Sequence, residues 1–344
     1  MKAIVLTKLG GADVLKVQDI PKPSINNPND VLIQMKYSGI NFAEILARRG
    51  LYKWVPAKKG FILGMEGSGV VEEVGNEVTS YNVGDPVIVA RGFGCHAEYI
   101  ALEEKYIFPA IPRFTLEQNA AFTGSFMTAY IALVKMARAE SGETILVQAA
   151  AGALGTATVI LAKALGLKVA GTASSTEKIT TLQNLGIDLA INYSKANFKE
   201  SIMEWTDHNG VNIVLESVGG KVFRESLQCL SPMGRLIFVG LSSLRFNKFN
   251  PLTWWPTYKL IPKVNLLNML GRSQGILAFH AGRLLDDNYR EIRGLFGDLV
   301  DLADQHKIYP IVGRIFPLDE ITNAHRMIES RKNIGKLLLK IDRN

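Results

Sequence analysis

A short apolar run, Thr144-Ile-Leu-Val147, breaks into Gln148-Ala-Ala-Ala-Gly-Ala-Leu-Gly155 and continues with Leu154, Thr158, Leu161 and Leu165 on one helical face. A strand, a turn of small residues and a helix, in that order, constrain the fold more than any other stretch of the chain. In the G-x-G-x-x-G register, Ala150 takes the first position, Gly152 the second and Gly155 the third. Such a turn lets a pyrophosphate approach the backbone, while the helix amino terminus supplies unpaired N–H groups and a positive dipole end. Small residues at these positions also serve close packing of helix on strand. The uncharged stretch from Thr144 to Ala162 is long enough for a hydropathy window to read as a membrane span. It reads better as two soluble elements, because the strand run and the helical spacing meet at the glycines.

From about Gly142 onward, strand and helix patterns alternate, the signature of parallel βαβ units. The candidate strands are Thr144–Val147, Lys168–Thr172, Leu189–Ile191, Ile213–Glu216, Arg235–Val239 and Gly275–Phe279. They predict an α/β fold with a doubly wound parallel sheet of the Rossmann type. The first third instead reads as a compact β domain, with short runs at Met1–Leu6, Val31–Tyr37, Gly67–Val74, Pro86–Ala90 and His96–Ile100 set between turn residues. The tail carries a helix over 286–307, with Ile292, Leu295, Phe296, Leu299 and Ala303 on one face. It then has strand Ile308–Phe316, helix Leu318–Arg331 and strand Gly335–Ile341. It holds no further glycine loop, so it is expected to fold back on the β domain. The expected domains are therefore 1–123 with 282–344, and 124–281.

The chain has 344 residues, 47% of them hydrophobic and 21% charged, which excludes disordered and fibrous classes. A net charge of +7 is compatible with an anionic small molecule, an acidic lipid surface or nucleic acid. The lysines are spread along the chain and no recognition module stands out, so nucleic acid is not an expected partner. Cys95 and Cys229 are the only cysteines, too few for a disulfide framework or a four-cysteine zinc site. The amino-terminal apolar run, Ala3 to Leu6, is too short for a signal-peptide core. The cytoplasm is the expected location.

The end of the second βαβ strand bears on the nucleotide. An NAD site places Asp or Glu there to hold the ribose 2′-hydroxyl. Here that position is Ala173, followed by Ser174, Ser175 and Lys178. A hydroxyl and a lysine suit a 2′-phosphate, so NADPH is expected over NADH. A solvated first-turn lysine after Glu177 is the plain alternative for Lys178.

Several segments carry a family likeness: Gly39-Ile-Asn-Phe42, Gly64-Met-Glu-Gly-Ser-Gly-Val-Val71, Val83-Gly-Asp-Pro-Val87, Met127-Thr-Ala-Tyr130, the Ala-Ala-Ala-Gly152 loop, Ile191-Asn-Tyr-Ser194, Leu215-Glu-Ser-Val-Gly-Gly220 and Gly335-Lys336. With these, the chain resembles, over its whole length, the zinc-independent quinone oxidoreductases of the medium-chain dehydrogenase/reductase superfamily. Thr253-Trp-Trp255 and Lys332-Asn-Ile-Gly-Lys336 look most like the vesicle amine transport protein-like branch. The resemblance implies a GroES-like catalytic domain beside the Rossmann domain, and a homodimer that pairs near Gly275–Phe279. Where zinc-containing relatives place a Cys, a His and a second Cys, this chain has Asn41, Met65 and Gly124, so no metal is expected.

The resemblance further implies that Asn41 and Tyr52 line the pocket near the nicotinamide and that Thr128 sits by its carboxamide. It places Ala151, Gly152, Ala153, Leu154 and Gly155 on the pyrophosphate, and Ser174, Lys178 and Tyr193 around the adenosine phosphate. Gly240 and Leu241 pass beside the dinucleotide, with Phe279 and Asn333 at its nicotinamide end. Without a Lewis-acid metal, the expected reaction is hydride transfer to a quinone or an α,β-unsaturated carbonyl whose oxygen receives hydrogen bonds from Asn41 and Tyr52. The other reading is an NADPH-binding protein with little catalysis that acts at a membrane surface or with a protein partner. The aromatic, basic segment Leu244–Arg272 is a lid, a membrane-surface patch or dimer packing. A packed thiol and a strand histidine are the expected roles of Cys95 and His96.

Overall fold

Strand β1 (Lys2–Leu6) pairs antiparallel with β2 (Leu15–Asp19), and the eleven-residue β3 (Asp30–Ile40) follows. The computed structural model describes residues 1–243 and 263–341. After β3 come helix α1 (Phe42–Arg48), β4 (Phe61–Ile62), β5 (Glu66–Val74), β6 (Pro86–Ala90), β7 (Tyr99–Glu103) and β8 (Ile107–Pro109). Helix α2 (Leu116–Tyr130) then runs into a π-helical turn at Ile131–Met136.

The parallel repeat follows: β9 (Thr144–Val147), α3 (Ala153–Ala164), β10 (Lys168–Ala173), α4 (Thr176–Asn184), β11 (Leu189–Asn192), α5 (Phe198–Trp205), β12 (Val211–Glu216), α6 (Gly220–Gln228) and β13 (Leu230–Phe238). Beyond it lie α7 (Leu266–Arg272), β14 (Gly275–Ala278), α8 (Ala281–Asp287), α9 (Tyr289–Gln305), β15 (Val312–Pro317), α10 (Ile321–Glu329) and β16 (Lys336–Lys340).

Two compact units result, Met1–Ser125 with Gly282–Asn344, and Phe126–Ala281. In the second, six strands form one sheet in the order β11-β10-β9-β12-β13-β14, every pair parallel. Helix α3 starts where the small residues follow β9, so the segment Thr144–Ala162 is a strand and a helix. A parallel sheet buried on both faces needs near-continuous apolar strands, and Ile145, Leu146, Val147, Ile213 and Val214 are all fully buried.

In the first unit, β3 is the spine. It pairs with β5 along most of its length, with β7 near its start and with β16 near its end. The tail therefore completes the first unit's sheet, with Leu338 opposite Gly39. Val31, Ile33 and Met35 of β3 share one core cluster with Leu337 and Leu339 of β16. On α9 the five residues Ile292, Leu295, Phe296, Leu299 and Ala303 are buried, as their spacing predicted.

Local differences from the sequence reading have physical causes. The strand expected over His96–Ile100 begins at Tyr99, because His96 turns inward as a fully buried side chain in the preceding loop. Helix α1 was not anticipated, although Asn41-x-x-Glu44 is a capping pattern: Glu44 reaches back to the Asn41 backbone N–H at 3.2 Å. Most of the segment Leu244–Arg272 lies outside the described residues. Its described end, α7, exposes Leu266, Leu267 and Leu270.

The turn after β9 carries strain. Ala149 has φ 52°, a left-handed conformation that costs an L-residue with a Cβ about 1–2 kcal/mol. Ala149→Gly is expected to raise stability by about 0.5–1 kcal/mol, read as a shifted urea midpoint, once the extra freedom of the unfolded glycine chain is offset.

Candidate active site

The strained turn shapes a cradle. Gly152 caps α3 in an extended conformation and no side chain caps the helix, so the first-turn N–H groups keep the positive dipole end open to an anion. Gly155 is required by close approach: a Cβ there would lie 2.4 Å from the Ala149 carbonyl oxygen. The turn is tied to the neighbouring strand by Ala150 N–H donating to the Thr172 carbonyl at 2.9 Å. Ala151 is buried, while Ala153 and Leu154 are partly exposed along the first turn of α3.

At the ends of β10 and β11, the backbone brings the residues expected around the adenosine phosphate together. Tyr193 N–H donates to the Ala173 carbonyl at 3.1 Å, and the Ser194 hydroxyl donates to the Ser174 carbonyl at 3.1 Å. Tyr193 is exposed. Ser175 caps α4 by accepting from the Lys178 N–H. The Lys178 side chain is only 9% exposed, so the solvated-lysine alternative does not hold. Gly240 and Leu241 leave β13 beside the loop after β12, held there by Ser242 N–H donating to the Ser217 carbonyl at 2.9 Å. These features fit a dinucleotide: an open helix end for its pyrophosphate and, at the end of β10, Ala173 in place of a carboxylate. Thr128 lies on α2, half-buried, and Phe279 follows β14.

The first unit holds a buried polar ring, missed by the sequence reading. Glu66 Oε1 accepts from the Lys336 ammonium and from the Asn41 amide at 3.0 Å; Glu66 Oε2 accepts from Gly124 N–H at 2.6 Å. Lys336 also donates to Asn41 Oδ1 at 2.7 Å. The Asn41 amide donates to Glu44 Oε1 at 3.2 Å, and Glu44 Oε2 lies 2.7 Å from His96 Nε2. His96 Nδ1 lies 2.8 Å from Ser38 Oγ, whose hydroxyl donates to the Glu66 carbonyl at 3.0 Å and closes the ring. Both Asn41 amide protons therefore point at carboxylates. The expectation that this amide donates to an acceptor oxygen is corrected accordingly: its donors are engaged inside the ring.

Tyr52 packs edge-on against Trp54, with ring centroids 6.0 Å apart. Trp54 is anchored by its indole N–H donating to Asp286 at 2.8 Å. Burial pushes the Tyr52 phenol up to about 12, so it keeps its proton throughout the ordinary pH range. Asn333 is half-buried, three residues before Lys336. Cys95 is a free, buried thiol pushed upward by burial, as expected of a packed residue.

Residues 27–113 match the alcohol dehydrogenase GroES-like domain, and residues 153–263 match the zinc-binding dehydrogenase family. The chain is 33% identical over 322 residues to quinone oxidoreductase-like protein 2 of Bos taurus, covering 93% of this chain and 87% of that protein. This chain belongs to the quinone oxidoreductase family of the medium-chain dehydrogenase/reductase superfamily. It is also 30% identical over 346 residues to the synaptic vesicle membrane protein VAT-1 homolog of Homo sapiens, covering 98% of this chain and 86% of that protein. The crystal structure of Escherichia coli quinone oxidoreductase complexed with NADPH matches with a TM-score of 0.88 and 27% identity, over 99% of this chain and 100% of that one. Among the described residues, no helix is long and apolar enough to cross a membrane.

The family's zinc does not fit this ring. Asn41 turns its oxygen to an ammonium, and Met65 packs against the hydrophobic core. A Cβ at residue 124 would lie 2.5 Å from Glu66 Oε2, so a cysteine there would displace that carboxylate. Of the two carboxylates that meet Asn41, Glu66 already holds Lys336 and Glu44 lies against His96. A second group, Glu44, His96 and His325, brings three ligand-type atoms within 4.8 Å of one another. A metal-bound histidine donates its other N–H to an acceptor. His325 instead turns Nδ1 to the Arg48 guanidinium at 3.4 Å, a donor and a like charge, so this group does not fit a metal either.

Glu216, at the end of β12, is another buried carboxylate outside the sequence expectations. It accepts from Val218 N–H and from Gly219 N–H at 2.8 Å, shaping the loop beside Gly240. Burial pushes it from the usual 4.5 up to about 7. The folded chain holds this proton more tightly than the unfolded chain. The stability it contributes is full below about 4.5 and is lost as pH rises through about 7. Melting followed from pH 5 to 8 is expected to lose on the order of 3 kcal/mol in the wild type, and Glu216→Gln, which keeps the acceptor oxygen, is expected to flatten that slope.

Proposed function

We propose that this oxidoreductase uses NADPH to reduce a quinone or an α,β-unsaturated carbonyl, without a metal ion. The observation that carries the reading is the Lys336–Glu66 pair in place of a ligand set. With no Lewis acid to stabilise an alkoxide, the organic partner must be electrophilic on its own account. Such an acceptor takes hydride at a ring or β-carbon, and the charge then develops on its oxygen.

NADPH, when bound, supplies the hydride from its nicotinamide C4. Tyr52 is the donor to the oxygen: a phenol held near 12 stays protonated and offers its O–H where charge develops. Hydride and one proton together convert a quinone to a quinol, or saturate the enone carbon–carbon bond; the proton comes from Tyr52 or from water. Asn41 lines the site with its amide fixed inward. Thr128, Phe279 and Asn333 are assigned to the nicotinamide end, and Ala151 to Gly155 to the pyrophosphate. The chain acts in the cytoplasm as a homodimer, with a second copy pairing along β14, the last strand of its sheet.

A second reading rests on the exposed leucines of α7, Leu266, Leu267 and Leu270, each at least 75% exposed. It makes the chain an NADPH-binding protein that acts at a membrane surface. Loss of NADPH absorbance with a panel of quinones and enones separates the two. Turnover supports the reductase; NADPH binding without turnover, with co-sedimentation on anionic vesicles, supports the second reading. In the reductase, Tyr52→Phe is expected to lower kcat by about tenfold or more, the scale of a lost oxyanion donor. Lys178→Ala is expected to weaken NADPH by about 10–100-fold while leaving NADH nearly unchanged, the cost of one charge-assisted contact. An unchanged NADPH/NADH affinity ratio would remove the phosphate assignment.

A further inference from the structure

We propose that Lys336 is a positioning residue, a built-in cation that locks the Asn41 side chain in one orientation. Its kinetic arm rests on the reductase reading above; its structural arm does not.

An ammonium only donates and carboxylates only accept, so the direction of every bond around Asn41 is settled. Oδ1 must face Lys336, and Nδ2 must face Glu44 and Glu66. The three groups also join neighbouring strands. Lys336 opens β16, Asn41 follows β3 and Glu66 opens β5, and these strands lie side by side in the order β16-β3-β5. One ammonium, 1% exposed, thus ties three strand ends at the point where Asn41 caps α1. A metal ion would draw such ends together through its ligands and leave a coordination position for substrate. The buried lysine supplies the charge and the tie and leaves no such position. Its contribution to the reaction is indirect: both donors and the oxygen of Asn41 are engaged, so what the lock holds in place is the cap of α1, the helix that leads to Tyr52, the donor to the acceptor oxygen.

The test uses Lys336→Met, Lys336→Arg and the double variant Lys336→Met/Glu66→Gln, which removes both charges and so avoids an uncompensated buried carboxylate. Three quantities are read: kcat and KM for whichever acceptor the wild type reduces, the Kd of NADPH, and hydrogen exchange of the Asn41 side-chain NH2 in 1H–15N spectra, assigned by its loss in Asn41→Ser. The Met variants are expected to lower kcat about tenfold or more, with KM and the NADPH Kd within about twofold, the pattern of an interaction that matters only in the transition state. Their Asn41 NH2 is expected to lose protection, and Lys336→Arg to restore both readouts in part. Wild-type kcat together with an unchanged NH2 signal in the double variant overturns the proposal. If the wild type reduces no acceptor, the reductase reading fails by itself, and NH2 exchange alone decides the role of Lys336.

Discussion

The first unit is organised around one buried carboxylate. Glu66 is 3% exposed, and it persists there because it is met by an ammonium, a side-chain amide and a backbone N–H. A carboxylate so placed is stable only while its partners stay; removing one from a buried pair typically costs about 3–5 kcal/mol. That dependence propagates outward. It favours glycine at 124, because a Cβ there would lie 2.5 Å from the carboxylate oxygen and push it off its partners. It also commits Asn41 to facing inward and, through Glu44, holds His96 beneath α1.

The second unit solves a different electrostatic problem. Its nucleotide cradle uses backbone dipoles. An uncapped helix end, a left-handed alanine and a glycine in contact with the preceding carbonyl bring N–H groups to one point. Polar side chains around the cradle are satisfied among themselves: Thr172 donates to Gln148 at 2.7 Å, and Gln148 donates to Ser226 at 3.0 Å. Glu216 joins this network through Ser226, at 3.4 Å, and fixes the loop beside Gly240. The carboxyl ends of the strands are thus held by internal hydrogen bonds, which reduces the ordering cost of binding.

Much of the architecture was legible along the chain because its cause is local. The apolar strand runs, the small-residue turn and the one-faced helix at Tyr289–Gln305 follow from spacing alone. Their residues fall where period and turn chemistry put them. Boundaries were less legible where a side chain far away decides the backbone. His96 leaves the strand pattern because Glu44 and Ser38 receive it, and those are 52 and 58 positions distant.

The site divides along the same line. Sequence by itself determined the small-residue turn after β9 and the missing acid at Ala173, since each is a matter of residue type at a known offset, while the family resemblance marked Asn41, Met65 and Gly124 as the places where zinc-containing relatives carry ligands. Only the tertiary structure decided what stands there instead. Lys336 meets Glu66 from 270 residues away and Asn41 from 295, and nothing in local spacing marks a lysine as the partner of a particular buried carboxylate. Hydrogen-bond direction is likewise a property of the assembled ring. An asparagine read alone offers donor and acceptor equally, and its neighbours in space determine which one it shows.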